Sequence, residues 1–105
     1  MENPKKIQEL QLLEQNLQNL LMQKQNFQAR LMENENALNE LKDNKGQSYK
    51  IVGSIMIAED NKKLEEDLIE EKNILDLRIK SIEKQEGGLK EKATKLQEEI
   101  MKSMG

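Results

Sequence analysis

Carboxylates are the side chains of this chain best equipped for chemistry, and their positions argue against it. Histidine and cysteine are both absent. Their absence removes imidazole and thiolate metal ligands, thiol nucleophiles, disulfides and the usual near-neutral general base. Paired acids at the tip of a helical hairpin could serve a metal site in a larger machine, as in factors that provoke transcript cleavage. That chemistry needs the acids at the fold-back itself. Here the fold-back carries Tyr49, Ile51, Val52, Ile55, Met56 and Ile57, while Asp43, Glu59 and Asp60 sit at its base. Turn formation and helix capping explain them there. Gly87-Gly88 lacks the Gly-Lys-Ser/Thr ending that a phosphate loop requires. Glu98 and Glu99 read as a solvated helix face. The expectation is a chain with no catalytic residues, no cofactor and no metal, and not an enzyme.

The elements that hold these residues follow from composition and spacing. Of the 105 residues, 35% are charged and 35% hydrophobic, with one Tyr, one Phe and no Trp. Leu, Ile and Met scattered among Glu, Lys, Gln and Asn is the composition of long helices and coiled coils rather than of a globular core. Asn3-Pro4 is a helix start, since Asn can cap free N–H groups and Pro fits the first helical position. No Pro or Gly follows until Gly46, so the first helix is predicted over about 4–42. Within it Leu10, Leu13, Leu17, Leu20, Phe27, Leu31, Leu38 and Leu41 alternate at spacings of three and four, interrupted at Lys24 and Asn34. This is a heptad seam. A second helix is predicted over about 60–102, with Asp60 as its cap. Its seam is Leu68, Leu75, Ile79, Ile82, Leu89, Ala93, Leu96 and Ile100, with Lys72 and Glu86 as polar exceptions.

Residues 43–59 between the helices read as a turn, Asp43-Asn44-Lys45-Gly46, and then a β-hairpin. β-Branched residues flank a two-residue Gly53-Ser54 turn, where Gly takes the positive φ that a type II′ turn requires. Pairing Val52 with Ile55 puts Lys50, Val52, Ile55 and Ile57 on one face, and Tyr49, Ile51, Met56 and Ala58 on the other. If the helices fold back antiparallel, Leu10 faces Ile100, Leu13 faces Leu96, Leu17 faces Ala93, Leu20 faces Leu89 and Leu41 faces Leu68. The sum of facing residue numbers stays constant to within one, and its half falls near residue 55, inside the hairpin. The same register opposes Lys24 to Glu86 and Asn34 to Leu75. The two charged groups either escape to solvent along their stems or pair and specify the register. Gly87-Gly88 is a weak spot in the second helix or a joint where it bends, each Gly costing about 1 kcal/mol relative to Ala.

Net charge is −3 with acids and bases intermixed, which offers no basic stripe for a nucleic acid. No run approaches the roughly 18 apolar residues of a membrane span. A soluble, cytoplasmic protein is expected. An isolated two-stranded hairpin is marginal in water, and this one is apolar on both faces, so it is expected to assemble with hairpins of other subunits into a sheet or barrel. Where the two chain ends meet, Met1, Ile7, Leu10, Leu12 and Leu13 accompany Leu96, Ile100, Met101 and Met104. Met is a flexible side chain that adapts to varied partners.

The order helix, single hairpin, helix, with short free ends, resembles the prefoldin family and its beta class. The similarity lies in Tyr49-Lys50-Ile51-Val52-Gly53, Ile55-Met56-Ile57, then Leu64, Leu68, Leu75, Leu77-Arg78, Ile82 and Glu83-Lys84-Gln85-Glu86. It extends over essentially the whole chain, here taken as one domain, 1–105. The resemblance implies a mainly α fold, a long antiparallel two-helix coiled coil joined by one hairpin. It also implies a hexamer of two alpha-type and four beta-type subunits whose hairpins form a β-barrel platform. Such an assembly holds unfolded proteins between its distal tips without ATP and delivers them to a group II chaperonin. Carried over, Tyr49, Ile51, Val52, Ile55, Met56 and Ile57 would belong to the platform, and Ile7, Leu10, Leu13, Ile100, Met101 and Met104 to the client-binding tip. Gly87-Gly88 departs from the helix formers expected there. The rival reading is a coiled-coil scaffold or tether without chaperone activity, whose arms of about 38 helical residues would reach about 57 Å.

Overall fold

The structure, a computed structural model, describes residues 4–104. Asn3, expected to cap the first helix, and Met1, counted among the apolar chain ends, lie outside them. Helix α1 is Pro4–Asp43. Its one proline stands at the first position, where the missing N–H has no helical partner to lose, and no glycine interrupts it. The helix closes one residue beyond the expected Lys42. The Asn44 N–H donates to the Leu41 carbonyl at 3.3 Å, and the Gly46 N–H donates to Asn44 Oδ1 at 3.0 Å. This side-chain turn offers the backbone an alternative to another helical bond.

Strands β1, Ser48–Val52, and β2, Ile55–Glu59, pair antiparallel with Val52 opposite Ile55, Ile51 opposite Met56 and Tyr49 opposite Ala58. This is the register that the turn chemistry requires. Gly53 has φ of 63°, and no other described residue has a positive φ. A positive φ at the first turn position alone matches type II′.

Helix α2 is Asn61–Met104. The Asp60 carbonyl accepts the first helical bond from the Leu64 N–H at 2.9 Å, which puts Asp60 at the capping position. The helix runs two residues past the expected Lys102, since no breaker precedes Gly105. It continues through Gly87 and Gly88, both helical and exposed, and a methyl group added at either would meet nothing within 4 Å.

The chain divides into two compact units. Phe27–Arg78 contains the hairpin and the adjoining helix turns, with Leu75, Asn34 and Ser48 buried. Residues 4–26 with 79–104 bring the two helix ends together around Ile79, Ile82 and Glu86. Within each unit every predicted seam position is buried or half-buried. Few are fully buried, because a two-helix seam encloses each side chain from one side only. Helix order is antiparallel in both units. Lys6 meets Glu99 and Lys24 meets Glu86 in one, while Asn34 meets Leu68 and Asn44 meets Asn61 in the other.

Candidate protein-binding surfaces

The hairpin is held from below and bare above. Gln47 Nε2 donates to the Ser48 carbonyl at 2.8 Å and to the Glu59 carbonyl at 3.1 Å, clamping the open end of the two strands. Asn61 Nδ2 donates to the carbonyls of Asn44 and Gly46 at 3.3 and 3.2 Å, and Asn44 Nδ2 donates to Ser48 Oγ at 3.0 Å. Gln47 and Asn61 thus satisfy carbonyls at element ends that would otherwise need water, while Asn44 holds the Ser48 hydroxyl. Sequence reasoning passed over them. The available signal was an uncharged amide at each junction, a side chain that bonds nearby backbone in turns and at helix starts.

Every residue from Tyr49 to Ala58 is exposed. On one face Ile51 is 70% exposed and Met56 65%, and on the other Val52, Ile55 and Ile57 are exposed as well. Both strands are edge strands, since the sheet has only β1 and β2. An apolar patch of this kind, with unpaired backbone groups along both edges, is a candidate surface for contact with another chain. All six hairpin residues singled out from the sequence, Tyr49, Ile51, Val52, Ile55, Met56 and Ile57, lie on it.

The residues expected at the helix ends divide into two groups. Ile7, Leu10, Leu13 and Ile100 are half-buried, whereas Met101, 72% exposed, and Met104 face outward together with Leu12. Ile7, expected outside the seam, is drawn in at the level where Lys6 Nζ and Glu99 Oε2 pair at 3.2 Å. Glu99, read from sequence as merely solvated, therefore ties the two helices. One turn further along, Leu12, Leu13 and Leu96 line an open groove bordered by Glu9, Lys92 and Lys95.

Polar groups interrupt both helix seams. Lys24 Nζ lies 2.7 Å from Glu86 Oε1, with the Glu86 side chain 9% exposed and that of Lys24 20%. The two exceptions to the heptad pattern thus form a charge-assisted hydrogen bond, shorter and stronger than a neutral one. In the hairpin unit Asn34 is 4% exposed. Its Nδ2 donates to the Leu68 carbonyl at 2.9 Å, while Oδ1 is buried without a partner. Lys72, the remaining exception, turns outward to Glu35 at 4.0 Å. Phe27 lies between two guanidinium groups, Arg30 at 5.9 Å and Arg78 at 5.7 Å from its ring centre. Each contact is worth about 0.5–1 kcal/mol at such a site. On the α2 surface Lys63 and Asp67 pair at 2.8 Å. That hydrogen bond is the first cause of both shifts, the Asp67 carboxyl held below its ordinary range and the Lys63 ammonium above its own.

Among the described residues no three His, Cys, Asp or Glu converge as metal ligands would, and no helix is long and apolar enough to cross a membrane. What the arrangement can do is bind protein surfaces. Residues 4–105 match the sequence pattern of the family described as prefoldin subunit. The prefoldin subunit beta of Methanothrix thermoacetophila is 37% identical over 57 residues, which are 54% of this chain and 48% of that protein. The matched stretch is thus about half the length of that relative. The crystal structure of the prefoldin beta subunit from Thermococcus strain KS-1 matches with a TM-score of 0.87 at 30% identity, covering 98% of this chain and 96% of that one.

Proposed function

This chain belongs to the prefoldin subunit family, and we propose that it serves as a beta-type subunit of an ATP-independent holding chaperone in the cytoplasm. In this reading the hairpin joins those of an alpha-type subunit and other beta copies, two alpha and four beta in all, into a shared β-barrel platform. The helix ends hold unfolded proteins and release them to a group II chaperonin.

The observation that carries the reading is the double-faced apolar hairpin, bare from Tyr49 to Ala58. Burying such a surface contributes about 25 cal/mol per Å² of apolar area, so a chain that leaves it open gains strongly from assembly. Holding needs no bond made or broken, and so no enzyme chemistry. Several helix ends acting on one client raise the effective concentration of each contact, so weak individual contacts suffice and remain exchangeable. Leu12, Met101 and Met104 supply the outward apolar groups at the helix ends.

The test is aggregation of a chemically unfolded client, followed by light scattering without ATP, with the chain assembled on an alpha-type partner. Suppression is expected. It should fall at least several-fold when Leu12, Met101 and Met104 are replaced together by Ser. If the assembled wild-type chain does not slow aggregation, the chaperone reading fails and the tether remains.

A further inference from the structure

Resting on the reading that the helix ends hold unfolded proteins, we infer that the groove of Leu12, Leu13 and Leu96 selects apolar segments that carry carboxylates beside them.

The groove has an apolar floor and unequal walls. Leu12 is 58% exposed, whereas Leu13 and Leu96 are half-buried at the seam. One wall belongs to α2. Lys92 and Lys95, three residues apart, share a helix face with Leu96, so both ammonium groups stand on the same side of the floor. The other wall belongs to α1 and carries a single carboxylate, Glu9. Among the described residues neither Lys92 nor Lys95 has an ion-pair partner, whereas Glu99 is engaged by Lys6 at 3.2 Å. The groove thus offers two uncommitted cations on one side of an apolar floor.

The charge of the surrounding unit points the same way. The unit that holds the groove, residues 1–26 and 79–105, has nine lysines against eight glutamates, although the chain as a whole is acidic. The hairpin unit, Phe27–Arg78, holds eight basic side chains against twelve acidic ones. An approaching acidic segment is therefore repelled by the hairpin unit and not by the helix ends, where Lys92 and Lys95 can draw it in. Its aliphatic or aromatic side chain fills the floor, and its carboxylates lie along Lys92 and Lys95. The Lys stems add apolar area to that wall while their heads stay in water. Exposed pairs of this kind are individually weak and screened by salt, which suits a contact that must exchange.

The experiment uses the intact 105-residue chain and two fluorescent peptides with the same Leu-Ile-Phe-Leu core, one flanked by Asp and Glu, the other by Lys and Arg. Fluorescence anisotropy at low salt is expected to give a Kd about three- to five-fold lower for the acid-flanked peptide, the size that exposed charge pairs support. The difference should vanish at high salt. In Lys92→Glu with Lys95→Glu the preference should invert, with the thermal melt unchanged because both side chains are exposed. Equal wild-type affinity for the two peptides overturns the inference and leaves client holding intact. A preference that survives the charge reversal overturns its assignment to this groove. Failure of the wild type to bind either peptide overturns the inference, while the aggregation assay on the assembled chain decides the proposed function separately.

Discussion

Lys24 and Glu86 are the residues where sequence reasoning left two outcomes open and packing chose one. A lysine at a seam position can extend its head into water along its stem, or turn inward to a carboxylate. Here a carboxylate stands opposite, so the ammonium bonds inward at 2.7 Å. Removing one partner leaves the other charge part-buried and unpaired. Lys24→Ala, which leaves the shorter and more buried Glu86 carboxylate unpaired, should therefore destabilise the chain by about 3 kcal/mol in chemical denaturation. Lys24→Met with Glu86→Met should be neutral or stabilising by about 1 kcal/mol, yet loosen the register, because a polar core pair rejects pairings that an all-apolar seam tolerates. The chain has no cysteine, so an engineered pair reports cleanly. A Leu13–Leu96 cysteine pair should close readily in the wild type, and a shifted Leu13–Ala93 pair should close only in the double-Met variant. Equal crosslinking in both backgrounds would show that the ion pair does not specify register. Asn34 works differently. Its amide was legible as a break in the heptad, but the Leu68 carbonyl it bonds, and the orphaned Oδ1, depend on a backbone position that no spacing rule supplies.

At the scale of elements, helix and hairpin boundaries were legible to within two residues because each rests on local chemistry. Pro4 opens α1, Gly53 sets the turn, and Asp60 precedes α2. What the local pattern could not decide was Gly87-Gly88. Either continued helix or a bend was compatible with two residues of low helix propensity. The helix continues, stabilised by seam residues on both sides, Ile82 and Glu86 before and Leu89 and Ala93 after. Both glycines have open space where a methyl would go. Gly87→Ala with Gly88→Ala should therefore raise stability by about 2 kcal/mol, from about 1 kcal/mol per site in helix propensity. A thermal melt checks this, and an unchanged or lowered midpoint would mean that the backbone there is not helical in solution. The amides of Asn44, Gln47 and Asn61 were not legible. The Glu59 carbonyl that Gln47 bonds, and the Asn44 and Gly46 carbonyls that Asn61 bonds, come near only once the hairpin has formed, and Asn44 itself bonds the Ser48 hydroxyl.

For the whole molecule the exposed two-faced hairpin is the surface that the proposed assembly would cover. Ile51→Lys with Met56→Lys puts two charges on cross-strand partners of one face. Like charges directly opposite repel, and neither can be buried unpaired without a large cost. If the hairpin builds the proposed platform, light scattering of the chain mixed with an alpha-type partner is expected to show the higher oligomer for the wild type and its loss in this variant, with the helical circular dichroism signal in place. Persistence of the full-size assembly would show that this face of the hairpin is not covered by another subunit.

The sequence by itself determined the element order, the antiparallel sense of the helices, the Lys24–Glu86 layer, the hairpin turn and the apolar character of its faces. Each of these is a property of neighbouring residues or of a strict repeat, and so survives without knowledge of what surrounds it. Asn34, expected opposite Leu75, bonds the Leu68 carbonyl instead. Only tertiary structure decided that Lys24 and Glu86 bond, that Arg78 joins Arg30 on Phe27, that Ile7 is drawn toward the seam and that Lys92 and Lys95 wall a groove over Leu12. These depend on which way long side chains turn when two helices meet. Several rotamers of similar energy are open to an isolated helix, and the facing helix selects among them.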